Sequence, residues 1–358
     1  MNRRNRILAG LLAVQVLIAA VIFVPRLLPA QSAAGPLLGT LQTADVAGLT
    51  VHEKGGIQVV LAKKNGAWVL PAGDDYAASP DKVTAFVDKL IGLKTDPLVT
   101  RTTASHARLQ VASDNYVRQI DLTLADGGVT TLFLGAASGG ATYIRLDGHA
   151  EVYLARGLSS FEAATDMAGW IDPTYVSVPQ DKILSATIEN AQGKFEFAKN
   201  AQNQWVVKGI TADQKYNPDS VVTLMARLGS ISMVKPLGKT AKPEYGLDKP
   251  GATVTVVVSD TASTKVLTLK VGTKDADGNY PIISSDSTYY VSVAGFNVEP
   301  FTTAKIDTFL VTPTPAPAAA PTLPPVAPPT LAPTEPVTST VPITSTAPVT
   351  ITATPQPK

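Results

Sequence analysis

Ser79-Pro80-Asp81-Lys82-Val83-Thr84-Ala85-Phe86-Val87-Asp88-Lys89-Leu90 has a second version later in the chain, Asn217-Pro218-Asp219-Ser220-Val221-Val222-Thr223-Leu224-Met225-Ala226-Arg227-Leu228. Each version opens with a residue able to cap a helix through its side-chain oxygen. A proline follows, whose missing N–H costs nothing at the first helical position, and then an aspartate that suits the positive end of the helix dipole. Val83, Phe86, Val87 and Leu90 fall at i, i+3, i+4 and i+7, and Val221, Leu224, Met225 and Leu228 repeat that spacing. Each helix therefore carries one apolar stripe to lay on a sheet. The stripes read as core and not as a cofactor-binding face.

Working outward, two stretches of about 130 residues overlay with an offset of 137 or 138 and a single-residue slip. Val46 and Val51 meet Ile183 and Ile188, Trp68 meets Trp205, and Pro80 meets Pro218. Leu109 meets Leu247, Gly135 meets Gly272, Tyr143 meets Tyr280, and Val152-Tyr153-Leu154 meets Tyr289-Tyr290-Val291. Strand patterns run over Leu49 to Glu53, Ile57 to Leu61 and Ala67 to Leu70 before the first helix. Arg118 to Leu124, Thr130 to Leu134, Thr142 to Leu146 and Val152 to Leu154 follow it, with Gly-rich turns between. The second copy repeats them at Thr253 to Val258, Val266 to Val271, Tyr280 to Ile283 and Tyr289 to Val293. Strands, a helix, then antiparallel strands predict an α+β fold: two tandem modules, residues 45–170 and 181–310, each an antiparallel sheet with one packed helix. Trp170 to Pro179 reads as the hinge between them. Trp68 and Trp205 occupy equivalent strand positions, which argues for a shared packing role before a ligand-stacking one.

The ends have other compositions. Arg3, Arg4 and Arg6 precede Ile7 to Val24, 18 residues without a charge. At about 1.5 Å per residue such a segment can just cross a hydrocarbon core of roughly 30 Å. Residues 1–30 are thus expected to be a basic cytoplasmic stub and a transmembrane anchor, with everything beyond extracytoplasmic by the positive-inside rule. The alternative is a cleaved signal peptide, for which the small residues around Ala30 to Ala34 would serve. Residues 311–358 hold 14 of the 28 prolines, 12 threonines and no aromatic residue, the composition of a disordered, partly polyproline-II tail.

Composition excludes several chemistries. With no cysteine there is no disulfide, thiolate metal site or thiol nucleophile, and with 30 Lys+Arg against 29 Asp+Glu nucleic acid is not an expected partner. His52, His106 and His149 lack metal-ligand spacing. Gly238-Lys239-Thr240 lacks the first glycine of a phosphate loop, Met233 standing there. Asp275, Asp277 and Gly278 lack the first ligand and the closing glutamate of a calcium loop, with Thr273 and Ser284 in those places. Neither Ser138 nor Ser159-Ser160 sits in a nucleophile elbow. No catalytic, cofactor or metal residue is assigned.

The most specific motif is Tyr245-Gly246-Leu247-Asp248-Lys249-Pro250, followed by the Thr253 strand, Leu269-Lys270-Val271-Gly272 and Tyr289-Tyr290-Val291, with Trp205 and Asn217-Pro218-Asp219 upstream. In this series, over about residues 45–310, the chain resembles the domain-of-unknown-function family 4340. The first copy departs from it, since His106-Ala107-Arg108-Leu109-Gln110-Val111 replaces Tyr-Gly-Leu-x-x-Pro and only Leu109 survives. The motif also has a plain physical reading: glycine for a tight turn, leucine as a core plug, proline at the start of an edge strand. The resemblance implies an anchored, extracytoplasmic protein associated with bacterial envelope machinery, including neighbours of ABC-type exporters and gliding-motility auxiliary proteins, without a known activity. The expected function is therefore a non-enzymatic, membrane-anchored scaffold or accessory protein, its partners being the membrane through residues 7–24 and an envelope complex or exporter subunits. The alternative is wall or polysaccharide binding, with Tyr143, Tyr153, Tyr280, Tyr289 and Tyr290 exposed for sugar stacking. A third class, an enzyme of unrecognised type, requires polar groups converging in one deep pocket.

Overall fold

The computed structural model describes residues 12, 14–16, 18, 34–210, 214–259 and 263–311. In the first copy β1 (Val46–His52), β2 (Gln58–Lys64), β3 (Ala67–Leu70) and β4 (Tyr76–Ala77) precede helix α1 (Pro80–Ile91). After it come β5 (Leu98–Thr100), the short β6 (Val111–Ala112) and β7 (Asn115–Tyr116), then β8 (Arg118–Leu124), β9 (Val129–Ser138), β10 (Ala141–Leu146) and β11 (Val152–Arg156). Strand β12 (Thr174–Ser177) lies in the connection. The second copy has β13 (Ile183–Asn190), β14 (Gly193–Lys199) and β15 (Trp205–Val207) before helix α2 (Pro218–Gly229). It continues with β16 (Ser230–Ser232), β17 (Lys235–Gly238), β18 (Ala252–Ser259), β19 (Thr264–Val271), β20 (Asn279–Ser284), β21 (Tyr290–Ala294) and helix α3 (Gly295–Thr302).

The strands form two large sheets, in the orders β4-β3-β2-β1-β8-β9-β10-β11-β5 and β15-β14-β13-β18-β19-β20-β21-β17. Apart from β4 the two orders are the same, copy for copy, and every neighbouring pair is antiparallel. The predicted duplication is thus a duplication of topology. Both helical stripes are buried: Val83, Phe86, Val87 and Leu90 on α1, Val221, Leu224, Met225 and Leu228 on α2. Each side chain removed from water is worth roughly 1.5–3 kcal/mol, which is what fixes each helix to its sheet.

Three expectations need correction. The offset changes by more than one residue, because Leu134 faces Arg118 in copy one while Val271 faces Ala252 in copy two, which puts β8 and β18 134 residues apart. The first copy carries four extra residues between the start of its helix and β8, two of them in the stretch after Leu109 where β6 and β7 form. The two caps also differ, since Asn217 Oδ1 accepts the Asp219 N–H at 3.2 Å whereas the Ser79 hydroxyl makes no cap bond.

The third correction concerns Trp170 to Pro179, which is no hinge. Trp170 is 2% exposed and meets Phe86 of α1 edge-on at 5.2 Å, and its indole N–H donates to Ala164 O. Lys82 Nζ holds Ile171 O, β12 pairs with β16, and the Val178 N–H donates to Gly229 O at the end of α2. The connection is bonded to both helices, and both copies contribute to one continuous hydrophobic core.

Each module is closed by its own C-terminal aromatic residue. The Ser79 N–H donates to Trp170 O and the Asn217 N–H to Phe309 O, at 2.7 and 2.8 Å, and a last backbone bond joins Val311 N to Lys215 O. A chain ending after Thr312 is therefore expected to melt at the same temperature as the full chain by circular dichroism. One ending after Lys305 loses the buried Phe309 and is expected to drop by about 3–5 kcal/mol. A fall for the chain ending after Thr312 would mean that the tail docks on a module.

Among the described residues no helix is long and apolar enough to cross a membrane. Of residues 7–24 only Leu12, Val14, Gln15, Val16 and Ile18 are described, all helical and exposed. The anchor expected there and the tail expected at 311–358 fall almost wholly outside the described residues.

Candidate interaction site

The residues singled out by sequence lie on separate elements. Trp68 and Trp205 are 5% and 9% exposed, and in each case a lysine from the neighbouring strand, Lys63 or Lys199, lies 5.2 Å over the ring. Their equivalence is one of packing. Pro80 and Pro218 take the first position of α1 and α2.

The Tyr245-Gly246 motif closes on β19. Gly246 follows the turn Pro243–Tyr245 with φ +64, and the Thr273 N–H donates to Tyr245 O at 2.9 Å. A Cβ on Gly272 would overlap the Tyr245 carbonyl oxygen, and one on Gly246 would overlap the Thr273 hydroxyl. The glycines of the two motif segments are thus the two sides of one backbone crossing. Copy one builds the same crossing from other residues: Gln110 takes φ +56 after the turn His106–Leu109, and a Cβ on Gly135 would overlap Leu109 O. Leu109 therefore corresponds to Tyr245 and not to Leu247. Tyr245 is the plug, 6% exposed, while Leu247 is half-buried. Pro250 precedes β18, which pairs on both sides and is a central strand and not an edge.

None of the five tyrosines proposed for sugar stacking is exposed; all are half-buried and packed into the fold. Tyr289 illustrates why. Its ring meets Tyr76 edge-on at 4.9 Å, its hydroxyl donates to the carbonyls of Asp74 and Asp75, and Lys239 Nζ lies 4.8 Å over its face. The Tyr175 hydroxyl donates to Tyr289 O at 2.9 Å and accepts from the Ser284 N–H. Burial pushes the phenols of both Tyr76 and Tyr175 up, so they stay neutral. Gly238-Lys239, the false phosphate loop, belongs to the same junction, with the Lys239 N–H on Asp74 Oδ2 at 2.7 Å. The junction between copies is where these polar residues do their work.

The other singled-out groups are structural too. Asp275 accepts the N–H groups of Asp277 and Asn279, which makes the false calcium loop an ordinary hairpin turn. His52 lies 2.8 Å from Asp121, whose other oxygen accepts the Thr131 hydroxyl. That threonine is turned to the carboxylate and away from the imidazole, so the three do not form a nucleophile–base chain. Among the described residues no cluster of His, Asp and Glu could hold a metal ion.

A preformed concavity lies elsewhere, between α2 and α3. The groove has a volume of about 690 Å³. Buried Leu224 and Phe309 form its floor, Pro300 and Glu299 one wall, and Phe296, 70% exposed, its rim. Arg227 fixes that rim through a 2.7 Å bond to Phe296 O. In module one the corresponding helix is instead tied to the 160–162 turn by Lys89 and Glu162, and its exposed phenylalanine, Phe161, stands 82% exposed beside that tie. Sequence reasoning missed the groove because α3 follows the last strand of the repeat and contains Pro300, a residue that reads as a helix breaker.

No curated protein and no solved structure matches the chain. A family model described as domain of unknown function (DUF4340) matches residues 68–250, just over half of the 358, from the first tryptophan of the repeat through the last residue of the Tyr-Gly-Leu motif, and the chain belongs to that family.

Proposed function

We propose that the protein is a membrane-anchored, extracytoplasmic scaffold or accessory subunit of bacterial envelope machinery, working beside an ABC-type exporter and without catalysis of its own. The observation that carries this reading is the combination of a locked double module with a preformed groove at Phe296. A rigid body with a large exposed aromatic residue at the rim of an apolar-floored concavity suits protein docking, where aromatic anchors carry much of the binding energy. Anchoring rests on the apolar segment 7–24, whose described members are helical and exposed, all but Gln15 of them apolar. Wall binding loses its support, since the tyrosines it relied on are engaged within the fold.

The test uses the full chain in its native membrane, with a photo-crosslinking residue in place of Phe296. After carbonate washing the protein is expected to stay with the membrane, and irradiation to give an adduct with an exporter or envelope-complex subunit. The same residue at Phe161 is expected to give none. Release into the soluble fraction overturns the anchor, and the absence of a Phe296-dependent adduct overturns the docking role.

A further inference from the structure

Module one has a second small core, made of Leu109, Val111, Phe133 and Val152 on the outer face of its sheet, which has no counterpart in module two among the described residues. Within it lies Arg145, which is only 5% exposed and is the one Lys, Arg, Asp or Glu buried among the described residues. Its guanidinium is held on three sides. Nε donates to Val111 O at 2.6 Å, Nη1 donates to Leu146 O and His149 O at 3.3 and 3.1 Å, and the Phe133 ring lies 4.6 Å beneath the central carbon.

The fourth side is open. Among the described residues Nη2 has no hydrogen-bond partner, and it is not sealed from solvent, because Ser292 Oγ is the one buried side-chain polar atom without a partner among them. The group lines a cleft of about 510 Å³ together with Thr103, His106, Ser113, Asp147 and His149. The nearest carboxylate, Asp147, is 3.6 Å away from Nη1 and itself 56% exposed, too loose and too wet to neutralise a buried cation. Burial pushes the guanidinium pKa down and Asp147 opposes that shift; an arginine nonetheless stays charged. His106 Nε2 donates to Ala150 O at 2.9 Å, which leaves Nδ1 as the ring's acceptor in the neutral form.

We infer that this cleft is a binding site for a small oxyanion, a carboxylate or phosphoryl group, received end-on by the Nη2 edge of Arg145. The three carbonyls and the ring fix the donor before the ligand arrives, so little ordering is needed on binding. Thr103 and Ser113, each with a hydroxyl able to donate, line the same cleft. Copy two cannot hold such a site, since by register Ile283 takes the place of Arg145 and Lys270 that of Phe133. The site is independent of the groove at Phe296.

Equilibrium dialysis of the purified full chain in detergent tests the proposal, with labelled inorganic phosphate and labelled acetate as probes at fixed ionic strength. One equivalent of at least one probe is expected to bind saturably, and the preferred probe names the ligand group. Asp147→Asn, an exposed change, removes the competing carboxylate and is expected to tighten binding about fivefold, the effect of roughly 1 kcal/mol. Arg145→Lys is expected to weaken it about tenfold or more through loss of the planar donor edge. If that variant does not fold, the Asp147→Asn arm decides. Absence of saturable binding of either probe, or binding that Asp147→Asn leaves unchanged, overturns the inference.

Discussion

Gly272→Ala is expected to destabilise the protein by about 3 kcal/mol or more, lowering its melting temperature by roughly 6–12 °C for a folded body of this size. The methyl group would be driven into the Tyr245 carbonyl oxygen and would lie 3.0 Å from Pro281 O. Both obstacles are backbone, and both are bonded in place, Tyr245 O by the Thr273 N–H and Pro281 O by the Gly272 N–H itself. No rotamer change relieves such a clash, so the turn or the strand must move. Gly251→Ala is the control, because its new methyl would find nothing nearer than 3.4 Å and its effect is expected to stay within about 0.5 kcal/mol. Gly135→Ala should behave like Gly272→Ala, since Leu109 O occupies the corresponding place in module one. Thermal melts of the three variants decide the matter. A loss at Gly272 no larger than that at Gly251 would mean that the motif turn is not pinned to β19.

Much of this architecture was legible in the sequence because local signals were repeated. Proline at the helix start, the four-residue apolar stripe and the paired tryptophans each occur twice in the same order, and a signal seen twice in register is rarely accidental. What could not be read was anything set by contacts across the duplication. Lys239 belongs to no motif, and only the folded chain brings its N–H to Asp74. Tyr289 sits in an alternating strand that reads as one face buried and one face open. The face expected to be open is covered by the other module. The same holds for Arg145, an outward residue of β10 by alternation that becomes buried because residues 103–117 fold over it. The available signal was the pair Leu109 and Val111 in a segment that departs from the family pattern, two apolar residues in need of a surface to cover.

The groove at Phe296 and the cleft at Arg145 also mark where the two copies diverge. Both copies keep the sheet, the helix and the glycine crossing, which supply stability. They differ where the sheet is already satisfied. Module two adds α3 after its last long strand and gains the groove; module one inserts β6 and β7 and gains the cleft. Neither addition disturbs the shared core.

Trp170→Ala is expected to cost about 3–5 kcal/mol, the range for removing a large buried aromatic side chain. The indole fills the space between α1 and the connection, edge-on to Phe86. Its loss also leaves Ala164 O without the 2.9 Å bond it accepts from the ring N–H, which adds the penalty of an unpaired acceptor wherever water does not replace it. The backbone bond from Ser79 N to Trp170 O remains possible in the variant, so the effect reads the side chain and not the chain path. Beyond stability, the variant should loosen the connection, and limited proteolysis should cut between residues 170 and 179 in the variant while leaving the parent chain intact there. A connection acting as a free hinge would behave otherwise: its tryptophan could be removed for less than about 1 kcal/mol, and the parent chain would already be cut. Intact connections in both proteins combined with a small loss of stability would mean that the connection is held by its other bonds, β12 to β16 and Val178 to Gly229, and not by Trp170.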